Sequence, residues 1–152
     1  MITKNLNMFI GLHTTSLDGK HRLPLPARYK GALAGGVYVT QGFDRNLLLL
    51  TDSAFEVVAR QIKAMNMADP VARLLFRMIL GCAAQLIVDK NGCILLPQEL
   101  IDFSGIENDA LVVGQGEYFE IWSPQQWKEQ EISLSNVEAN AYRFSSLSLC
   151  TG

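Results

Sequence analysis

The chain of 152 residues is 49% hydrophobic and 18% charged, which fits one ordinary core or two small intertwined units and excludes a low-complexity chain. A formal net charge of −2 leaves no global positive field, so any nucleic-acid site must be a local patch. Cys82, Cys93 and Cys150 lack C-x-x-C spacing and point to reduced thiols in a cytoplasmic setting, and the apolar start Met8-Phe9-Ile10-Gly11-Leu12 is too short for a signal peptide or a membrane span.

In chain order, residues 12–17 and 22–26 read as strands around Asp18-Gly19-Lys20-His21, and Asp-Gly between such runs is a strong hairpin signal. Pro24 and Pro26 cannot donate to a ladder, so the returning strand should lie at an edge or leave the sheet quickly. Val37–Gln41 and Leu47–Thr51 form a second hairpin around residues 42–46. Phe55, Val58, Ile62 and Met65 then draw a helical stripe, with Asp52 or Ser53 as its cap. Asp69-Pro70 opens another helix, with aspartate at the cap and proline in its first turn, running to Gly81.

The order then repeats. Ala83–Val88 and Cys93–Leu96 flank Asp89-Lys90-Asn91-Gly92, Leu111–Gly114 and Tyr118–Trp122 form the next hairpin, and Ser123-Pro124 opens a helix carrying Trp127. Asp18 matches Asp89 and Pro26 matches Pro97 at an offset of 71 (89 − 18 and 97 − 26), whereas Phe55 matches Trp127 at 72. The loop between the two matched blocks has therefore gained one residue. Each half is hairpin, hairpin, helix, and neither can bury its sheet face alone, so the copies should pack together or interleave. The Ser- and Asn-rich stretch after Leu134 has little periodicity and is expected to be a flexible tail.

Enzyme readings find no support. There is no P-loop, H-E-x-x-H or G-x-S-x-G, and Gly114-Gln115-Gly116 reads as a turn rather than a dinucleotide fingerprint. His13 and His21 have no partner at metal-ligand spacing, and Glu117 and Glu120 alternate around a strand instead of converging. Cys93 reads as a small hydrophobe, with mild activation by Lys90 as the alternative. No metal, cofactor or small-molecule substrate is implied.

Local positive charge is the best-supported chemistry. From Asp18 to Lys30, the cations Lys20, Arg22, Arg28 and Lys30 stand against Asp18 alone, a balance of +3. Asp89 to Asp102 carries Lys90 against Asp89, Glu99 and Asp102, a balance of −2, and Cys93 occupies the place of Arg22. An arginine fork can contact guanine O6 and N7 together or clamp a phosphate, and an aspartate four residues earlier can orient it. A solvated hairpin tip with a surface ion pair is the plainer alternative.

The duplicated D-x-x-x-R element followed by Leu-Pro, with Phe119-Glu120-Ile121-Trp122 closing the last hairpin, resembles the MraZ family of bacterial transcriptional regulators. Leu25-Pro26-Ala27-Arg28-Tyr29 and Ile94-Leu95-Leu96-Pro97-Gln98-Glu99-Leu100 add to the likeness, which runs from about Met8 to Trp127. The resemblance implies a mainly β, AbrB-like fold with peripheral helices, β-rich α+β in class: a tandem, swapped-hairpin double-split β-barrel with internal duplication. It implies an N-terminal extension at 1–7, SpoVT-AbrB-like repeats at 8–66 and 82–132, a connecting helix at 67–81 and the tail at 133–152. It further implies a homo-oligomeric ring in the cytoplasm, associated with the nucleoid, binding tandem DNA repeats upstream of a division and cell-wall gene cluster. Carried over, Arg22 contacts DNA with Lys20, His21, Arg28 and Lys90 as helpers, while Asp18, Gly19, Asp89, Asn91 and Gly92 shape the turns. The family places glycine directly before the arginine; here that residue is His21, so the first loop is expected to turn differently. With Cys93 in the second loop, the alternative is a ring-forming interaction protein with degenerate DNA binding.

Overall fold

The computed structural model describes residues 8–152, and the stretch 1–7, expected to be an extension, lies outside the described residues. Its strands are β1 (Leu12–Ser16), β2 (Arg22–Pro24), β3 (Val37–Gln41), β4 (Leu47–Thr51), β5 (Ala84–Leu86), β6 (Cys93–Leu95), β7 (Asp109–Gly114) and β8 (Phe119–Trp122). Its helices are α1 (Lys30–Leu33), α2 (Asp52–Lys63), α3 (Pro70–Leu75), α4 (Gln98–Ser104), α5 (Pro124–Ser135) and α6 (Val137–Phe144).

The strands form two antiparallel sheets. The larger has the order β1-β7-β8-β4-β3-β5, and β2 pairs with β6 in a separate ribbon. Exchanging the two copies reverses the six-stranded order onto itself, so a pseudo-twofold axis passes between β4 and β8. That axis also crosses the ribbon, where Leu23 pairs with its own counterpart Ile94. On the sheet it runs through Leu48 and Glu120, which likewise pair with each other.

This pairing corrects the expected first hairpin. β1 and β2 share the Asp18 turn but no ladder, because β1 pairs with β7 and β2 with β6. In the second copy β5 pairs with β3, not with β6. The reason is burial: Leu23 and Ile94 are fully buried, and only the crossed ribbon lets both side chains enter one core. That core draws on both copies, including Tyr29, Leu33, Val37, Val39, Leu47 and Leu49 from the first and Leu96, Leu100, Val112, Phe119 and Ile121 from the second. The copies interleave.

The offset between copies also resolves into parts. Thr51 and Ser123 cap α2 and α5 alike, accepting from the amides of Ala54 (3.2 Å) and Gln126 (3.1 Å). Thr51, the last strand residue, thus takes the role expected of Asp52 or Ser53. The turn between β3 and β4 holds residues 42–46, whereas that between β7 and β8 holds only 115–118. The second copy therefore gained two residues between β6 and β7 and lost one in the following turn.

The protein is α+β with antiparallel sheets, as expected, but helix outweighs strand, 40% against 25%, so it is not β-rich. Two helical segments carry no strong periodic stripe: a 3-10 turn at Ala27–Tyr29 leading into α1, and α4. Both start directly after a Leu-Pro pair, and α4 ends at Gly105 in the left-handed region (φ 73°). Asp69 caps α3 as expected, but the helix widens to π geometry over Phe76–Gly81. Buried Thr40 donates its hydroxyl to the carbonyls of Met78 (3.2 Å) and Ile79 (2.8 Å) there, satisfying groups the wide turn releases. Where the composition gave a flexible tail, α5 continues to Ser135 and α6 follows, capped by Asn136 through the Ala139 amide (3.1 Å). No residue of α6 is buried.

Gly114, read as part of a turn, has a packing role. The segment around Phe9 crosses the end of β7, with Phe9 and Gly116 exchanging backbone hydrogen bonds of 2.7 and 2.8 Å. A Cβ at Gly114 would overlap the backbone of Ile10. Gly114→Ala is accordingly expected to destabilise the fold by about 2 kcal/mol through displaced backbone, measured as a lowered denaturation midpoint.

Candidate functional site

The two D-x-x-x loops flank the β2–β6 ribbon and are built alike. In the first, Asp18 Oδ1 accepts from the amides of Lys20 (2.8 Å) and Arg22 (3.0 Å), the Asp18 amide donates to the Arg22 carbonyl (3.0 Å), and His21 N donates to the Asp18 carbonyl (3.1 Å). In the second, Asp89 Oδ1 accepts from Asn91 (2.8 Å) and Cys93 (2.9 Å), the Asp89 amide donates to the Cys93 carbonyl (2.9 Å), and Gly92 N donates to the Asp89 carbonyl (2.9 Å). Each aspartate thus satisfies its own loop amides, a local reason for aspartate at this place. The loops also tie into each other's strands reciprocally: Leu25 N donates to the Gly92 carbonyl (2.9 Å) and Leu96 N to the His21 carbonyl (3.0 Å).

The expected difference in turn geometry is absent. His21 adopts φ 63° and Gly92 adopts φ 78°, so histidine occupies the left-handed conformation that the second loop gives to glycine. Gly19, which suggested the turn, is not among the positive-φ residues. The hydrogen-bond frame set by the aspartate overrides the side-chain preference at position 21. A non-glycine residue there stores strain on the order of 1 kcal/mol, within the range for left-handed L-residues.

The loops differ in chemistry. Arg22 Nε donates to Asp18 Oδ2 at 3.0 Å, with the two side chains 41% and 48% exposed. Such an exposed pair adds little stability, but it fixes the plane of the guanidinium fork. Hydrogen bonds from the amides of Arg22 and then Lys20 hold the Asp18 carboxyl below the usual carboxylate range, against desolvation and with a smaller lowering from the Arg22 guanidinium. Lys20 and His21 are exposed on the same loop. Among the described residues the His21 imidazole has no hydrogen-bond partner.

Cys93 takes the place of arginine in the second loop. Burial raises its thiol pKa first, and the charges of Asp89 and then Asp18 raise it further, against Arg22. Activation by Lys90 is therefore corrected: the thiol is held protonated, a small half-buried side chain whose sulfur lies 3.9 Å from the Asn91 carbonyl. The ribbon register, Arg22 opposite Leu95 and Pro24 opposite Cys93, brings the two loops to either end of the same three-residue ribbon.

Arg28 lies apart, on the turn before α1, its guanidinium 5.4 Å from the centre of the Tyr29 ring. Lys90 is exposed at the tip of the second loop. Lys30, counted in the basic stretch but given no role, proves to bridge the copies, donating its Nζ to the Lys90 carbonyl at 3.3 Å. Only the crossed topology brings Lys30 to that loop. Among the described residues there is no group of three or more His, Cys, Asp and Glu fit to hold a metal, and no helix is long and apolar enough to cross a membrane.

Two outcomes follow for stability. His21→Gly should be neutral to stabilising by up to about 1 kcal/mol, because relief of strain is offset by the greater unfolded-state freedom of glycine, whereas Gly92→Val should destabilise; chemical denaturation of both measures this. The lowered Asp18 pKa makes its contribution full above the unfolded-state value and lost as pH falls through the folded-state value. The stability gap between the wild type and Asp18→Asn should therefore close on acidification below about pH 4, followed by denaturation at stepped pH.

The MraZ protein family model matches the chain twice, over residues 8–78 and 79–145, so the second match takes in α6. A transcriptional regulator MraZ of Roseiflexus castenholzii is 39% identical over 137 residues, spanning 90% of this chain and 94% of the relative. That of Thermomicrobium roseum is 38% identical over 141 residues, spanning 92% and 99%, and that of Rhodococcus opacus is 36% identical over 138 residues, spanning 91% and 92%. With two consecutive repeats folded around one axis and relatives matched over nearly their whole length, the chain belongs to the MraZ family, a family of transcriptional regulators rather than enzymes.

Proposed function

We propose that the protein is a sequence-specific DNA-binding regulator that reads promoter DNA through the first loop, with Arg22 as the base-reading fork and Asp18 as its brace. The carrying observation is the 3.0 Å Arg22–Asp18 contact on a loop whose exposed residues are otherwise basic or uncharged. Lys20 supplies a point charge for a phosphate, and Arg28 and Lys90 flank the site as weaker partners. The crossed ribbon supports an AbrB-like swapped-hairpin barrel, in which paired loops on one face meet one stretch of duplex.

The regulator acts as a homo-oligomeric ring in the cytoplasm, at the nucleoid, on tandem repeats upstream of a division and cell-wall gene cluster. Oligomerisation is supported by apolar side chains left exposed on both helical ends: Met67, Val71 and Leu74 around α3, and Val137, Tyr142 and Phe144 on α6. A helix of 8 residues that buries none of its own side chains has little reason to be stable unless something covers it. A rigid ring would also let several weak loops act together on repeated DNA.

A second reading, an interaction protein of the same assembly with degenerate DNA binding, is favoured by one observation: the second loop keeps the geometry but carries Cys93. Binding to the duplex upstream of its own gene separates the two. Under the first reading, affinity falls with salt at a slope of roughly −0.9 per phosphate contacted, and Arg22→Ala costs about tenfold or more, the value of one bidentate arginine. Binding by Arg22→Ala as tight as the wild type, with normal assembly, would refute it. Under the second, the wild type binds weakly and without sequence preference, and Cys93→Arg gains specific binding. In either case Phe144→Glu should yield a smaller particle by light scattering.

A further inference from the structure

The four residues after the aspartate differ between the two loops, Gly19-Lys20-His21-Arg22 against Lys90-Asn91-Gly92-Cys93, and the last two places are the left-handed position and the arginine position beside it. Where the second loop reads Gly92-Cys93, the first reads His21-Arg22, on one hydrogen-bond frame. Gly92 at φ 78° shows that this frame needs a left-handed backbone here and no side chain. His21 meets the same demand at φ 63°, with a strained backbone, an exposed imidazole and no hydrogen-bond partner among the described residues. Fold stability therefore gives no reason for the imidazole. Strain held at an exposed position beside a candidate reading group is the pattern expected of a recognition residue.

We propose that His21 is a specificity-determining residue, contacting a base edge next to the one read by Arg22; this rests on the DNA-binding reading above. The chemistry favours a base over a phosphate. Lys20 already places an ammonium on this loop, and an ammonium is the better phosphate partner. A neutral imidazole offers one donor and one acceptor on a flat ring, which suits the mixed donor and acceptor pattern of the major groove. The left-handed backbone fixes where the ring leaves the loop, and the Asp18 brace fixes the adjacent guanidinium, so the two side chains present a set spacing. Cys93 and Gly92 give the second loop neither group.

The test compares wild type, His21→Gly, His21→Asn and Arg22→Ala on two duplexes at matched salt: the DNA upstream of the protein's own gene and a scrambled duplex of equal length and composition. Glycine keeps the backbone conformation and removes only the side chain. Asparagine tolerates the left-handed region and keeps a donor and an acceptor. His21→Gly should lose about tenfold on the upstream duplex and less than twofold on the scrambled one, while His21→Asn stays within about threefold of wild type on both. Thermal denaturation of each variant checks that folding is intact. Equal binding by His21→Gly and wild type overturns the proposal, as does an equal loss on both duplexes, which would mark a phosphate contact. If Arg22→Ala loses specific binding and His21→Gly does not, only the role of His21 fails. If the wild type itself does not prefer the upstream duplex, the DNA-reading function fails and this proposal with it.

Discussion

The Leu23–Ile94 pairing is the constraint on which the rest of the structure depends. Each residue is the middle of a three-residue strand too short to hold a sheet alone, and each is fully buried against the other copy. Because they are counterparts, the pairing forces the two copies into a twofold relation about that point. Once the ribbon is crossed, β1 can only extend the far side of the second copy's hairpin, and β5 the far side of the first's. The six-stranded order then follows, as does the joint core. Neither repeat has a core of its own to retreat to, so the duplicated unit folds as one cooperative body.

The same axis explains how a symmetric frame yields a one-sided surface. Backbone geometry is shared because each aspartate supplies the same acceptor to the same two amides, and those bonds do not depend on what the intervening side chains are. Side-chain chemistry was therefore free to diverge at positions 21 and 22 against 92 and 93 without disturbing the ribbon. Charge, fork geometry and an available imidazole collect on one loop. The other contributes an aspartate, a held-down thiol and a single exposed cation, Lys90, whose carbonyl receives Lys30. Function in this reading lives in the difference between two loops, while stability lives in their sameness.

How much of this was legible depended on whether the cause was local. The cap at Asp69 and the helix start at Ser123-Pro124 read directly, since each is set by contacts over two or three residues. The duplication and the interleaving followed from matched motifs and from sheets that no half could cover. The strand partners did not, because Asp-Gly signals a turn and says nothing about where its strands go next; here Leu23 buried across the axis decided it. His21, not Gly19, is left-handed for a related reason. Residue type favours glycine for a left-handed turn, but the Asp18 acceptors fixed which position must adopt it. The signal lies in the second loop, where the glycine, Gly92, stands three places after Asp89 as His21 does after Asp18. Lys30 was visible as charge and invisible as a bridge, since its partner lies in the other copy.

The unaltered shape of the second loop has a genetic consequence. Cysteine codons, TGT and TGC, become the arginine codons CGT and CGC by one base transition. At Cys93 the backbone, the aspartate acceptor and the flanking ribbon already match those that hold Arg22. A single nucleotide change would therefore place a guanidinium on a scaffold that needs no rebuilding, and the reverse change would remove it again. The gene sits one reversible step from a protein with a guanidinium on each loop, so the charge balance between the two loops can shift in evolutionary time while their shared hydrogen-bond frame is kept.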